Sequence, residues 1–146
     1  MEAERRFLVS AVPLEAIVIG AFRQGYLLIV GPLEMRVRSG VENSVAVKFA
    51  RGYGRRLEFE LVLPKCVAKF LLLVSPWRVS KTRSVLHFEG QRWDVDSYHG
   101  YLEGIITAEA ETVDFDRLVV PEWVGVEVTG NSEWSNRSLA RYGLPR

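Results

Sequence analysis

Charged side chains recur at every second position along several stretches of this chain, with an apolar residue between them. Examples are Arg36-x-Arg38 and Glu58-x-Glu60, whose intervening residues are a valine and a phenylalanine. A β-strand sends residues i and i+2 to the same face of its sheet, so each charged pair shares one face and its apolar neighbour lies on the other. The pattern therefore predicts a sheet with one apolar face and one face that is densely charged with both signs.

The same spacing recurs from one end of the chain to the other, and one further lysine, Lys48, lies alone in the apolar run AVKF. The charged segments are Glu2-x-Glu4-x-Arg6, Arg36-x-Arg38, Arg56-x-Glu58-x-Glu60, Lys81-x-Arg83, Asp94-x-Asp96 and Glu109-x-Glu111. On an open, solvated sheet these side chains would form an ordinary surface. In a closed barrel they would line a lumen in which the cations bind a polyanion and the carboxylates coordinate metal ions.

Alternating and β-branched or aromatic residues predict eight strands, separated by glycine and proline turn signals. The predicted strands are Arg5–Val9, Arg23–Val30, Leu33–Arg38, Val45–Arg51, Arg55–Leu63, Trp77–Phe88, Arg92–Tyr98 and Ile105–Thr112. Apolar residues at helical spacing predict a helix over Pro64–Val74, and shorter helical segments are expected at Asp114–Val120 and Asn136–Tyr142. This content predicts an α+β protein, and eight strands with short connections suit a closed antiparallel β-barrel with a few flanking helices.

Composition limits the function classes. A chain of 146 residues with 48% apolar content suits a single domain with a hydrophobic core. The net charge of +1 gives no overall basic field for nucleic acid or a membrane surface. Cys66 is the only cysteine, which excludes an internal disulfide and a cysteine-clustered zinc site. The N-terminus is unlike a signal peptide and the apolar runs are too short to span a bilayer, so a reduced cytoplasmic location is expected.

Nine segments of the chain resemble, in order, those of the CYTH proteins, the triphosphate tunnel metalloenzymes. They are EAERRFLV, QGYL, MRVRSG, VAVK, RRLEFEL, SKTR, WDVD with YHG, AEAE and PEWVGVEVTGN, followed by Asn136 and Leu139-Ala140. The resemblance covers essentially the whole chain as one domain, residues 1–146, and is closest to the short bacterial inorganic triphosphatases. It implies an eight-stranded antiparallel barrel that forms a tunnel, and metal-dependent hydrolysis of inorganic tripolyphosphate.

The resemblance also implies roles for the charged residues. The expected metal ligands are Glu2, Glu4, Glu58, Glu60, Asp96, Glu109 and Glu111. The expected phosphate-binding residues are Arg6, Arg36, Arg38, Lys48, Arg56, Lys81 and Arg83. An all-carboxylate ligand set favours Mg²⁺ or Mn²⁺ over zinc. The family has a lysine at position 6, and because arginine keeps the charge but cannot transfer a proton, Arg6 is assigned to phosphate binding only.

Two residues are candidates for catalysis. Crowding of Lys81 by Arg36, Arg38 and Arg83 would lower the pKa of the lysine and suit it to act as a general base. Tyr26 resembles the tyrosine that accompanies this lysine in the short bacterial branch. The alternatives are that Lys81 is one more phosphate cation and that Tyr26 is an aromatic residue of the barrel packing.

Other functions of the same fold stay open. They are an adenylyl cyclase, a thiamine or nucleoside triphosphatase, and a module that binds polyphosphate or a nucleotide without turnover. The sequence has no distinct feature for an adenine pocket, and its short loops leave little material for one. The expected partner is a small-molecule polyphosphate or triphosphate, bound by a monomer or a homodimer.

Overall fold

Eight strands close into an antiparallel barrel in the computed structural model, which describes residues 2–51 and 55–145. The side chains of Glu2 and Phe115 are outside this description. The strands are β1 (Glu2–Leu8), β2 (Ile17–Val30), β3 (Leu33–Gly40), β4 (Ser44–Ala50), β5 (Arg55–Val62), β6 (Trp77–Phe88), β7 (Gln91–Tyr98) and β8 (Ile106–Thr112). Their order around the barrel is β1-β5-β4-β3-β2-β6-β7-β8. The predicted fold class is confirmed.

Two-residue turns set the register of two hairpins. Val30 pairs with Leu33 across Gly31-Pro32, and Phe88 pairs with Gln91 across Glu89-Gly90. Both residues of the second turn have positive φ, 51° and 75°, which matches the right-handed twist of the strands they join. Each register keeps the charged residues of neighbouring strands on the same, inner face.

The strand β2 begins six residues earlier than the sequence predicts. Its first half, Ile17–Phe22, pairs with β6, and the register shifts between Val18 and Gly20. This bulge interrupts the alternation of side chains that would have marked the segment as a strand. With this extension, β2 pairs more extensively with its two neighbours, β3 and β6, than any other strand does with its own neighbours.

The barrel closes at a short seam. The strand β1 pairs with β8 over six residues, Ala3–Leu8, but with β5 only at Glu2 and Ala3. Side chains extend the seam inside the lumen, where Arg56 of β5 lies 3.5 Å from Glu4 of β1. The lumen side chains therefore help to hold together the two strands that the backbone ladder joins least.

Two helices flank the barrel. The helix α1 (Lys65–Val74) joins β5 to β6 and packs on β2 and β3, and α2 (Asn136–Tyr142) packs on β6. The helix predicted over Asp114–Val120 is reduced to a single 3₁₀ turn at Phe115–Arg117, because Leu118 already returns to an extended backbone. Within the described ranges, no helix has the length and hydropathy needed to cross a bilayer.

Two clusters of buried apolar side chains stabilise the barrel. One lies outside β1, β7 and β8, where Phe7, Trp93, Val95 and Ala108 are buried and the indole of Trp123 meets Trp93 edge-on. The other fills one end of the barrel, where inward residues of three strands pack against Leu139 of α2. Those residues are Tyr26, Val79 and Tyr98. One end of the lumen is thus filled by packing, and the remainder carries charge.

The predicted apolar outer face is only partly covered. Val37, Val95 and Ala110 are fully buried behind the charged lumen, as expected, whereas Phe59 is 75% exposed. The reason is that α1 makes its main contacts with β2 and β3. The apolar face that the sequence predicts is therefore left partly uncovered on these two strands.

Candidate functional site: the charged lumen

The barrel encloses a cavity of about 520 Å³ whose wall is almost entirely charged. The basic residues that line it are Arg36, Arg38, Lys48, Arg56 and Arg83. The acidic residues that line it are Glu4, Glu42, Glu58, Glu60, Asp94, Glu109 and Glu111. These side chains come from seven strands and the β3–β4 turn, and only barrel closure brings them together.

Along the wall formed by β3, β4 and β5, each cation has a carboxylate partner. Arg36 donates to Glu58 at 3.3 Å and to Glu60 at 3.4 Å, and Lys48 lies 4.0 Å from Glu58. Burial alone would raise the pKa of Glu58, but Lys48 and Arg36 outweigh it and lower that pKa. Burial and the Arg36 charge lower the pKa of Lys48 to about 8, against the opposing effect of Glu58.

Arg56 of β5 connects this wall to β1 and β8, across the seam between β5 and β1. Its guanidinium lies 3.2 Å from Glu58, 3.5 Å from Glu4 and 2.9 Å from Glu111. Three carboxylates from β1, β5 and β8 therefore share one arginine. This leaves negative charge on the β1–β8 side that Arg56 offsets only in part.

Two carboxylates of β8 lie near Glu4. Glu4 pairs in register with Glu111, and Glu109 lies two residues further along β8. Burial and the charge of Glu109 raise the pKa of Glu4 to about 7. Burial would also raise the pKa of Glu109, but Arg6 and Lys81 outweigh it and lower that pKa to about 2.

A buried ion-pair group lies beside the cavity, and one of its members, Arg83, also lines the cavity. Lys81 donates to Asp96 Oδ2 at 2.7 Å, while Arg83 donates to Oδ1 and Oδ2 of Asp96 at 2.8 and 2.9 Å. Asp96 and Lys81 have no exposed surface. Both oxygens of Asp96 are therefore engaged by cations, so the described contacts give Asp96 the role of positioning Lys81 and Arg83. A metal-binding role for Asp96 stays a prediction.

The pKa of Lys81 is lowered to about 8, the direction expected from the sequence, but the main cause differs. Burial contributes most, and the charges of Arg83 and Arg38 add to it, while Asp96 opposes it. Lys81 is not among the described residues that line the main cavity. It lies behind that wall, with its ammonium over the ring of Tyr98 at 5.7 Å from the ring centre.

Tyr26 is buried in the packed end of the barrel. Its hydroxyl accepts a hydrogen bond from Gln24 Nε2 at 3.2 Å, and burial, with the charge of Glu34, raises its pKa. In the described part of the chain Tyr26 makes no hydrogen bond to Lys81, whose ammonium is bonded to Asp96. The packing role is thus visible in the structure, and the catalytic role of Tyr26 stays a prediction.

Arg6 lies at the junction between the lumen and α2. It donates to Glu109 at 2.5 Å, to the Tyr98 hydroxyl at 2.8 Å and to Asn136 at 3.2 Å, and Tyr98 in turn is hydrogen-bonded to Asn136. The planar fork of arginine allows these contacts to three partners at once. Arg6 therefore ties β1 and β8 to the start of α2.

A second cavity, of about 280 Å³, opens on the far side of this junction. It shares Glu4, Lys48, Arg56 and Asn136 with the first cavity. The segment between β8 and α2 supplies part of its wall, including Val128 and Ser135, and Arg137 of α2 adds to it. This cavity forms because the segment between β8 and α2 folds back across the barrel end.

The structure brings most of the predicted site residues together. Five predicted phosphate-binding residues and five predicted metal ligands line the main cavity: Arg36, Arg38, Lys48, Arg56, Arg83, Glu4, Glu58, Glu60, Glu109 and Glu111. Arg6 lines the second cavity instead, while Lys81 and Asp96 are buried behind the wall. The side chain of Glu2 is outside the described part of the chain. In the ranges described, no three His, Cys, Asp or Glu side chains form a ready-made metal cluster.

Tyr98, Asn136 and Gln24 are site residues that the sequence reasoning did not assign. The sequence does contain a signal that Tyr98 faces the lumen, because Tyr98 follows Asp94 and Asp96 at the next position on the same face of β7. Asn136 lies far from the lumen in sequence, and only the return of α2 to the barrel places it there.

Two curated proteins resemble this chain along almost their whole length. It is 33% identical to an inorganic triphosphatase from Acetivibrio thermocellus over 147 residues, covering 96% of this chain and 93% of that protein. It is 32% identical to an inorganic triphosphatase from Nitrosomonas europaea over 148 residues, covering 95% and 96%. The chain belongs to the inorganic triphosphatase family. The resemblance inferred from the charged segments is confirmed.

Solved structures agree with this membership. A crystal structure of an inorganic triphosphatase matches the chain with a TM-score of 0.69 at 30% identity, over 94% of this chain and 96% of that one. The structure of a putative adenylyl cyclase from Hippeastrum with a dominant triphosphatase activity matches with a TM-score of 0.63, over 100% and 98%. At 14% identity the second match shows the shared barrel fold alone. No protein-family model matches the chain.

We predict that Asp96→Asn is far more destabilising than Asp94→Asn, although both residues lie on the same face of β7. The first change leaves two buried cations without their shared carboxylate, which costs about 3–5 kcal/mol. Asp94 is partly exposed and meets Arg83 only at 3.5 Å, so its loss costs less than about 1 kcal/mol. Denaturant unfolding at neutral pH measures both, and equal effects would contradict the proposed role of the buried group.

Proposed function

We propose that this inorganic triphosphatase family member hydrolyses inorganic tripolyphosphate in its lumen with the aid of Mg²⁺ or Mn²⁺. The observation that carries the proposal is the cavity wall, in which five cations from four strands face carboxylates from several others. A triphosphate chain is a dense anion that needs several cations and a divalent metal to neutralise it away from bulk water. The two inorganic triphosphatases that match almost the full chain support the same substrate.

Arg38 and Arg83 are proposed as the first contacts of the phosphate chain. Arg38 is the less neutralised of the two, because its described partners are Gln24 at 3.2 Å and Glu42 at 3.7 Å. Both guanidinium groups lie over the ring of Phe22, at 5.7 and 4.9 Å from its centre, which holds their planes in place. Planar donors fixed in this way suit bidentate contacts to successive phosphate groups.

The donor set of the lumen fits a hard divalent cation. Glu4, Glu109 and Glu111 supply carboxylate oxygens from adjacent strands. Glu58 and Glu60 offer further oxygens on the facing wall. When bound, the metal would neutralise phosphate charge and orient the anion. Arg56, which contacts Glu4, Glu58 and Glu111, would adjust its partners as the carboxylates turn to the cation.

Lys81 is proposed as the residue that accepts a proton during attack by water. Its pKa of about 8 allows a substantial neutral fraction at mildly alkaline pH. Loss of that proton leaves Asp96 still paired with Arg83, so the buried carboxylate keeps a partner. Burial holds Tyr26 in its neutral form, and its proposed part is therefore to donate or accept hydrogen bonds rather than to carry charge.

The second cavity favours one alternative, an organic triphosphate as substrate. Its wall combines Tyr26, Ala50 and Val128 with polar groups, which a nucleoside or thiamine group could contact while the phosphates lie in the lumen. Comparison of tripolyphosphate with ATP and thiamine triphosphate separates this alternative from the main proposal.

We expect the purified protein to release phosphate from tripolyphosphate with Mg²⁺ or Mn²⁺, and to act more slowly on ATP and thiamine triphosphate. Excess chelator should lower the rate by more than about a hundredfold, because the metal contributes several kcal/mol of charge stabilisation. Full activity in chelator would exclude the metal role. Tight binding without phosphate release would show a binding module.

A second prediction separates proton transfer from substrate binding. Lys81→Ala should lower kcat by about 10²–10⁴-fold with a small change in KM, because a general base acts on the transition state. Arg38→Ala should instead raise KM with little change in kcat, because a side chain that binds phosphate holds the ground state and the transition state alike.

The pH–rate profile decides the role of Lys81. A base must be deprotonated to act, so the parent's rate should rise with pH and level off above about 8, the pKa of Lys81. Arg38→Ala should keep this rise, and Lys81→Ala should lose it. If Lys81→Ala keeps the parent's profile and loses only affinity, Lys81 is a phosphate-binding cation.

A further inference from the structure

The second cavity differs from the main cavity in the balance of charge on its wall. Among the described residues, the wall of the main cavity carries five cations and seven carboxylates. In the same ranges, the wall of the second cavity carries five cations and two carboxylates, Glu4 and Glu34. Its cations are Arg6, Lys48, Arg55, Arg56 and Arg137. The main cavity therefore has an excess of carboxylates, which a metal ion can offset, whereas the second cavity has an excess of cations, which attracts an anion.

Two arginines of this wall hold buried N–H donors without acceptors. The Nε atom of Arg6 and the Nη1 atom of Arg137 are buried, and neither has a hydrogen-bond partner in the described part of the chain. Arg6 as a whole is only 7% exposed, so its Nε–H group is removed from bulk water. A buried charged donor without an acceptor is costly. An anion bound in the second cavity would supply the acceptors that these two arginines lack.

Inorganic phosphate has the chemistry that this wall requires. It is negatively charged at neutral pH and presents oxygen acceptors in several directions, so it can contact arginines from different parts of the wall at once. Asn131 and Ser132 add an amide and a hydroxyl group to the same wall, and the cavity of about 280 Å³ has room for such an anion. An uncharged or cationic organic group would leave the excess of positive charge unbalanced.

Two cations connect the cavities. Lys48 and Arg56 lie on both walls, so an anion that moves from the main cavity to the second can keep contact with a cation throughout. Glu4 is the one carboxylate that the two described walls share. The electrostatic balance therefore favours a free anion toward the second cavity and a metal ion toward the main cavity.

We propose that the second cavity is a metal-independent binding site for inorganic phosphate, which it receives from the lumen after hydrolysis. The carboxylates of the main cavity would retain the metal ion, while the released phosphate moves toward the excess of cations. Arg6 and Arg137 bind it through their buried N–H donors. The origin of the phosphate rests on the proposed hydrolysis of tripolyphosphate, whereas the binding site itself does not.

Isothermal titration calorimetry of the full-length protein with sodium phosphate, in excess chelator, tests the site directly. The parent should bind phosphate without metal. Arg137→Gln should weaken this binding by about tenfold to a hundredfold, because a charged hydrogen bond is lost. The matched control is Arg141→Gln, which removes the same charge from the same helix but from a side chain that lies over Trp77 and Tyr142, outside the described wall. It should bind phosphate as the parent does.

Arg38→Gln distinguishes the two cavities, because Arg38 lies on the wall of the main cavity and not on that of the second. It should keep the parent's affinity for phosphate. Binding that is lost in Arg38→Gln and kept in Arg137→Gln would put the phosphate in the lumen and overturn the proposal. Equal weakening by Arg137→Gln and Arg141→Gln would show attraction to the charge of α2 alone, which overturns it as well, and so does a parent that binds no phosphate.

Product inhibition tests the source of the phosphate. Added phosphate should inhibit tripolyphosphate hydrolysis by the parent, and Arg137→Gln should need about ten to a hundred times more phosphate for the same inhibition. Phosphate that binds at Arg137 without inhibiting would show a site with no route from the lumen and overturn the assignment to the product. Circular dichroism shows that each variant is folded. Because calorimetry needs no turnover, failure of the phosphate site and failure of the proposed reaction are distinguishable.

Discussion

Pairing of opposite charges inside a closed sheet is the interaction on which the rest of this structure depends. Charges removed from water are costly unless they are paired, and seven of the eight strands here direct charged side chains, of both signs, into one lumen. The pairing stabilises the barrel at its weakest point as well, because Arg56 links β5 to Glu4 and Glu111 where the backbone ladder is short. The arrangement that allows the barrel to fold is therefore also the arrangement that can bind a polyanion.

The ion pairs differ in how readily they can change partners. Asp96 is fully buried and holds both Lys81 and Arg83 by bonds of 2.7 to 2.9 Å, so this group is a fixed support. The pairs of Arg36 with Glu58 and Glu60 are longer, at 3.3 and 3.4 Å, and face the cavity. We propose that a phosphate chain and a metal ion replace the longer pairs, with the arginine turning to the anion and the carboxylate to the cation. The fixed group would keep its geometry during this exchange.

The sequence predicts the lumen because a strand alternates its side chains with a period of two. This alternation alone predicts that four charged residues share one face: Arg36, Arg38, Glu58 and Glu60. The closed barrel confirms the fold that the alternation indicates. The alternation of side chains along a strand could not predict how deeply each inward side chain is buried. Lys81 and Arg83 share a face of β6, yet one is buried behind the wall and the other lines the cavity.

Other features depended on packing between distant segments. The contact of Arg6 with Asn136 requires α2 to return to the barrel end, and the local sequence of β1 contains no sign of it. The exposure of Phe59 depends on where α1 comes to rest, since Val37 has the same local pattern but is buried. Local alternation specifies which face a side chain takes, and tertiary packing decides whether that face is covered.

A crystal structure of the protein with tripolyphosphate and Mg²⁺ tests the central claim most directly. The account predicts the phosphate chain in the 520 Å³ cavity, with Arg36, Arg38 and Arg83 on phosphate oxygens and the pairs of Arg36 with Glu58 and Glu60 opened. It also predicts that Asp96 keeps its contacts with Lys81 and Arg83. A phosphate chain bound outside the barrel, or one bound inside with every arginine–carboxylate pair unchanged, would contradict the exchange of partners.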